Sequence, residues 1–250
     1  MGVGGWMLLG LVVSHQVPQV RANARTDILV TDCRGVRLIA RFAVRSERMY
    51  PELEEYIRRG LLHTDEIPEA RKLALDGVAD FVSARLRARQ EAKLNFICTH
   101  NSRRSQMGQL WAAAGAAHFG IHGVRTYSGG TEATTFDPRA VGAVERAGFR
   151  VDNPGGENPH YGVTYTRGGP VIECFSKVYD DPSNPREDFV AIMTCAEADE
   201  ACPVVHGATL RAPIRYDDPK VADGTPEEAS TYDQRCLQIA TEMLYLFARV

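Results

Sequence analysis

Apolar residues along this chain fall into two patterns, short unbroken runs and stripes that recur every three or four positions. Leu94-Asn95-Phe96-Ile97 is such a run, followed abruptly by polar residues, as expected of a buried parallel strand. Phe189-Val190-Ala191-Ile192-Met193 reads the same way, and Val124-Arg125-Thr126-Tyr127 and residues 210–214 predict two further strands. Between them Met107, Leu110, Trp111, Ala114 and Ala117 mark a helix closed by Gly120 and Gly123. Asp137-Pro138 caps another through Val141 and Val144, which Gly148 stops. Thr225-Pro226-Glu227-Glu228 predicts a capping box for a closing helix with Tyr232, Cys236, Ile239, Met243 and Phe247 on one face. Upstream, residues 51–60 predict a short helix. Leu75, Val78, Phe81, Val82 and Leu86 predict a longer one from Pro68 to about Arg89, and the pair is expected to pack on the outside of the later strands and helices. Strands alternating with helices predict an α/β fold, a parallel sheet with right-handed crossovers.

Two stretches break this rhythm. Residues 153–188 hold five prolines and five glycines, with a hairpin of residues 163–166 and 171–178 expected around Arg167-Gly168-Gly169-Pro170. So long a connection reads as an insertion near the site or a partner surface. Residues 1–48 contain seven arginines, no lysine and three acids, with an apolar run at residues 3–13 and a small-x-small Ala22-Asn23-Ala24. A leader preceding a start at Met49, an export signal and a disordered or membrane-touching extension all remain open. The organisation expected is therefore an extension at 1–48, a helical prefix at 49–90 and a catalytic domain at 91–250.

Composition narrows the classes. With 44% hydrophobic and 24% charged residues the chain is globular, and no apolar run reaches the roughly eighteen residues of a membrane span. A net charge of −3 gives no general pull toward nucleic acid. Six cysteines in 250 residues are too few for a disulfide scaffold, so a cytoplasmic setting is expected.

The chemistry concentrates in Cys98-Thr99-His100-Asn101-Ser102-Arg103-Arg104-Ser105, between the first buried strand and its helix. A loop there turns amide groups inward at the positive end of a helix and makes an anion cradle. The C-x5-R-S spacing lets Arg104 grip two oxygens of a tetrahedral oxyanion while the Cys98 sulfur lies beneath its central atom. The same field favours a thiolate, so Cys98 is the candidate nucleophile. Ser105 is expected to donate to that sulfur, Asn101 to hold a strained loop, and residues 99–104 to bind substrate, with Arg103 adding charge beside the anion and His100 a titratable ring.

These residues resemble the low-molecular-weight protein tyrosine phosphatase superfamily, and within it the thioredoxin-coupled arsenate reductases. The resemblance covers about residues 93–250 apart from the insertion. It extends to Tyr127-Ser128-Gly129-Gly130-Thr131-Glu132, Asp137-Pro138-Arg139-Ala140 and Asp218-Pro219. It implies a four-stranded parallel sheet with the loop at its carboxyl edge and Asp218 as the general acid. That role asks the site to raise the acid's affinity for its proton. The bland alternative is a turn, since aspartate before proline is common there, and Asp217 is the fallback. Ordinary tyrosine phosphatases of the superfamily fit less well: Ile97 stands where they place histidine, the loop lacks their glycine, and only Tyr216 supplies an aromatic beside the acid.

Cys195-Ala196-Glu197-Ala198-Asp199-Glu200-Ala201-Cys202 comes directly after the strand at 189–193, and the similarity to the reductases implies that Cys195 and Cys202 relay oxidation outward to thioredoxin. Two unrelated buried cysteines are the competing reading. The six-residue spacing with only His206 near does not suit zinc. Gln109 stands where some of these reductases use an acid beside potassium, so neither a metal nor a bound cofactor is expected. Cys33, Cys174 and Cys236 lack motif context. Arsenate reduction is the leading expectation. Hydrolysis of a phosphomonoester by Cys98, Arg104 and Asp218 is the first alternative, and a non-catalytic oxyanion-binding module the second.

Overall fold

The structure, a computed structural model, describes residues 26–31, 37–42, 48–202 and 204–250. The apolar run at 3–13, the Ala22-Asn23-Ala24 site and Cys33 lie outside them. The chain separates into Met1–Ser46 and Glu47–Val250. In the first unit β1 (Thr26–Thr31) and β2 (Arg37–Phe42) pair antiparallel, Thr26 opposite Phe42.

The second unit begins with α1 (Pro51–Leu62) and α2 (Glu69–Arg87), then β3 (Ala92–Cys98), α3 (Arg104–His118), β4 (Val124–Gly130) and α4 (Pro138–Arg146). Three short strands come next, β5 (Arg150–Asp152), β6 (Tyr161–Thr164) and β7 (Ile172–Cys174). Then come β8 (Phe189–Met193), α5 (Ala196–Ala201), β9 (Ala208–Pro213) and α6 (Glu228–Ala248). The main sheet has four strands in the order β4-β3-β8-β9, every pair parallel, which is the expected architecture. Among the described residues no helix is long and apolar enough to cross a membrane.

Strand alternation divides the interior in two. Leu94 and Phe96 of β3 with Val190 and Ile192 of β8 face the main core, beneath α3 and α2, on which α6 packs in turn. Ile97 and Cys98 with Phe189, Ala191 and Met193 join a smaller cluster on the other face, completed by Cys195, Ala198 and Val205. A period of two accounts for the division as far as Ile97, since successive side chains of a strand leave on opposite faces; Cys98, the last residue of β3, joins the smaller cluster out of step, where the chain enters the loop. The prefix helices are less peripheral than expected. Leu53, Ile57, Leu75, Val78 and Val82 are fully buried members of the main core. Its centre is Trp111, stacked on Tyr56 at 5.2 Å, edge-on to Phe149 at 5.0 Å, and donating from Nε1 to Cys236 Sγ at 3.2 Å.

Three local expectations need correction. β5 is a third strand that the sequence pattern does not reveal; it pairs with β6 through Val151 and Val163. The second arm of the hairpin ends at Cys174 rather than Val178, because Lys177 O accepts from Gly130 N and Tyr179 N donates to Gly130 O. The closing helix starts at Glu228, and the capping box is not formed. Thr225 Oγ1 accepts from Glu227 N, while Glu228, drawn toward Arg139, accepts from Gly224 N at 2.7 Å. Those bonds brace the turn before the helix.

Trp111→Ala removes a fully buried indole and its partners on α1 and α6, so unfolding by urea should show a loss of about 3–5 kcal/mol with an unchanged slope.

Candidate active site

The loop after β3 is built by its carbonyls. Cys98 O accepts from Thr131 N at 3.1 Å, Thr99 O from Glu132 N at 2.8 Å, and Ser102 O from Asp137 N at 2.9 Å. His100 O accepts from Ser176 Oγ at 2.7 Å and Thr134 Oγ1 at 3.2 Å, and Asn101 O from Gln106 Nε2 at 3.0 Å. Five consecutive carbonyls are thus held from outside, which turns the intervening amide groups toward the loop's interior. Among the described residues, none of the amides of residues 99–103 donates to the protein. The fit depends on Gly130. A Cβ there would lie 2.5 Å from Thr99 O and 2.7 Å from Asn101 N, closer than real atoms approach.

Asn101 takes a left-handed backbone, φ +47, as its expected role requires. Its side chain accepts from Lys177 N at 3.0 Å and donates to Ser105 Oγ at 2.9 Å. Since Ser105 Oγ accepts that hydrogen bond, its own hydroxyl hydrogen is free for Cys98 Sγ, 3.1 Å away. Arg104 opens α3, which has no side-chain cap; its Nη1 donates to Tyr216 O at 3.0 Å and its Nη2 to Asp218 Oδ2 at 2.8 Å. Thr99 turns its hydroxyl toward Cys195 Sγ at 3.5 Å.

Two substrate-binding expectations change. Arg103 does not face the loop interior. Its Nε and Nη2 grip both oxygens of Asp218, at 2.8 and 3.1 Å, and its Nη1 donates to Asp137 Oδ2 at 3.0 Å. His100 sends its ring outward, 3.7 Å from Glu132, and serves the loop through its backbone. The expected upward tuning of Asp218 is also reversed. Burial pushes its carboxyl up, but the Arg103 hydrogen bond and the Arg104 charge outweigh it and hold the group below the usual aspartate range. Asp217 is almost fully exposed and leaves Asp218 as the acid at the loop.

The other sulfurs are placed by strand register. Ile97 is paired with Met193 in the parallel ladder, and Thr194 N donates to Ile97 O at 2.7 Å, so Cys195 emerges beside the Cys98 loop. Cys98, Cys195 and Cys202 all belong to the smaller cluster, and all are free thiols. Burial pushes the Cys195 thiol up, opposed by Thr99, the Ala198 amide and Arg104. Cys202 is partly exposed, whereas Cys174 and Cys236 are enclosed and pushed by burial to about 12 and about 11. Tyr216 is turned into the core, its hydroxyl donating to Glu242 at 2.7 Å.

A family model described as low molecular weight phosphotyrosine protein phosphatase matches residues 93–156. An arsenate reductase of Bacillus licheniformis is 31% identical over 153 residues, which are 61% of this chain and 92% of the relative. An arsenate reductase of Bacillus subtilis strain 168 is 30% identical over 140 residues, 56% of this chain and 83% of the relative. The chain belongs to the low-molecular-weight protein tyrosine phosphatase superfamily. Members of this superfamily are enzymes, and so is this chain. Within that family frame, three supports of the site carry no sequence signal that marks them as such. Asp137 reads from sequence only as a helix cap; Ser176 and Lys177 lie 76 residues from the loop atoms they hold. Only the length of the insertion hints at them.

Alkylation at neutral pH should label Cys98 and Cys202 well before Cys174 and Cys236, with phosphate protecting Cys98 alone. In Gly130→Ala, where the loop must shift, that protection should vanish, as peptide mass mapping of labelled protein would show.

Proposed function

We propose that this enzyme reduces arsenate to arsenite in the cytoplasm, using Cys98 as nucleophile and Cys195 and Cys202 as a relay to thioredoxin. The observation that carries this reading is the placement of Cys195 at the end of the strand next to Cys98, with the partly exposed Cys202 in the same cluster. The two Bacillus relatives, named as arsenate reductases, support it.

In the first step the Cys98 thiolate attacks arsenic within the ring of loop amides and Arg104. A sulfur–arsenic bond forms, one arsenic–oxygen bond breaks, and the oxygen leaves as water with a proton from Asp218. The bound oxyanion competes for Arg104 and carries negative charge, both of which restore the proton affinity that the two arginines suppress at Asp218. Next the Cys195 thiolate attacks the Cys98 sulfur. A disulfide forms, the sulfur–arsenic electron pair passes to arsenic, and arsenite departs. Cys202 then attacks Cys195, freeing Cys98, and a dithiol of thioredoxin reduces the Cys195–Cys202 disulfide. Presenting that disulfide requires α5 to loosen, which means releasing Asp199 from its ion pairs with Arg211 and Arg215.

The inward turn of Tyr216 weighs against recognition of an aromatic phosphoester at the same loop. Purified protein with arsenate, thioredoxin, thioredoxin reductase and NADPH should consume NADPH. Cys195→Ser should reduce that rate to background, and Cys202→Ser should stop after one turnover with a Cys98–Cys195 disulfide detectable by mass. An unchanged rate in Cys195→Ser removes the relay. Hydrolysis of phosphotyrosine peptides, indifferent to Cys195→Ser, establishes a phosphatase instead. Binding of arsenate with no turnover of either substrate leaves the oxyanion-binding module.

A further inference from the structure

We propose that Arg103 is a positioning residue that tethers Asp218 to the start of α4, so that the acid stays at the loop when an oxyanion takes over Arg104. This rests on Asp218 being the proton donor.

The geometry is a chain of four charged groups. Asp137 Oδ1 accepts from Arg139 N at 2.9 Å, anchoring the first turn of α4, and its Oδ2 accepts from Arg103. Arg103, only 8% exposed, holds both oxygens of Asp218, and Asp218 Oδ2 is shared with Arg104. The remaining bond of the carboxylate is local: Oδ1 accepts from Lys220 N at 3.1 Å in its own turn. The groups facing this cluster from other elements include Glu197 of α5, 3.9 Å from Arg104, the Arg139 guanidinium of α4, 3.8 Å from Asp137, and Tyr232 of α6.

Arg104 has two duties that conflict. It must present its fork to a tetrahedral oxyanion, yet it also holds Asp218. A fork–fork pair is directional, and Arg103 supplies one that needs nothing from Arg104. With Arg103 present, an arriving anion removes one of the two guanidinium groups on Asp218 and the carboxyl stays in place. Without it, Asp218 and Arg104 are left to each other. The anion must then break the acid's only strong tether in order to bind.

The test reads Asp218 directly and then reads turnover. Carbon-13 NMR of the aspartate carboxyls, assigned with Asp218→Asn, gives the titration midpoint of Asp218 in the resting protein without any substrate. Arg103→Met should raise that midpoint by about one pH unit or more, since an opposite charge in direct contact is lost. In arsenate turnover the same variant should lower kcat about tenfold to a hundredfold and raise KM. Its activity should also persist to higher pH, because an acid with a raised midpoint stays protonated longer. Arg103→Lys retains the charge without the fork, so it should recover most of the midpoint but little of kcat, and it stands in if the methionine variant does not fold. A midpoint that stays put in Arg103→Met, or a fall in kcat with no movement of the pH profile, overturns the proposal and reduces Arg103 to a structural contact. If the wild type turns over no arsenate, the functional reading fails on its own, while the titration still decides whether Arg103 holds Asp218.

Discussion

The constraint on which this structure turns is that a peptide group cannot offer its carbonyl and its amide to the same side. From Cys98 to Ser102 each carbonyl is taken by a donor behind the loop: the amides of Thr131, Glu132 and Asp137, the hydroxyls of Thr134 and Ser176, and the amide side chain of Gln106. The amides are therefore aimed forward together, three of the carbonyls being held by backbone amides and those of His100 and Asn101 by side chains. This explains why the loop needs Gly129-Gly130 behind it. Glycine at 130 lets two backbones approach to a distance that a methyl group forbids, and glycine at 129 does the same for Tyr179.

The sheet makes a second division, by face. The main core takes Leu94 and Phe96 of β3 and Val190 and Ile192 of β8, and the sulfurs of Cys98, Cys195 and Cys202 lie with the smaller cluster, beside the six-residue α5 and Tyr179. The smaller cluster is nonetheless closed, and α5 is held over it by buried Ala198 and by the ion pairs of Asp199 with Arg211 and Arg215.

Much of this is legible in the sequence because it is local. Strands buried on both faces announce themselves as unbroken apolar runs, and the cysteine, arginine and serine of the loop sit at fixed spacing within eight residues. Four parallel strands and their order of appearance can be read off directly. What the chain conceals is long-range partnership. Arg103 meets Asp218 across 115 residues and Asp137 across 34, and no periodicity encodes either contact. Charge beside an anion-binding loop reads naturally as charge for the anion, when here it is neutralised by two carboxylates. The proton affinity of Asp218 escapes the sequence for the same reason, since burial alone would raise it and the two guanidinium groups, with the Lys220 amide, reverse the sign. Short strands such as β5 escape because three residues cannot establish an alternation.

The stretch between β7 and β8 bears on how this chain can be shortened. Phe175 O, Ser176 Oγ and the Lys177 amide each meet a group on or next to the loop after β3. Trimming the chain toward the size of a minimal relative would therefore not prune an ornament. It would take away part of the floor, leave the backs of His100 and Asn101 wetted, and let the amide ring splay. Any transplant of this loop into another scaffold must carry those three residues with it.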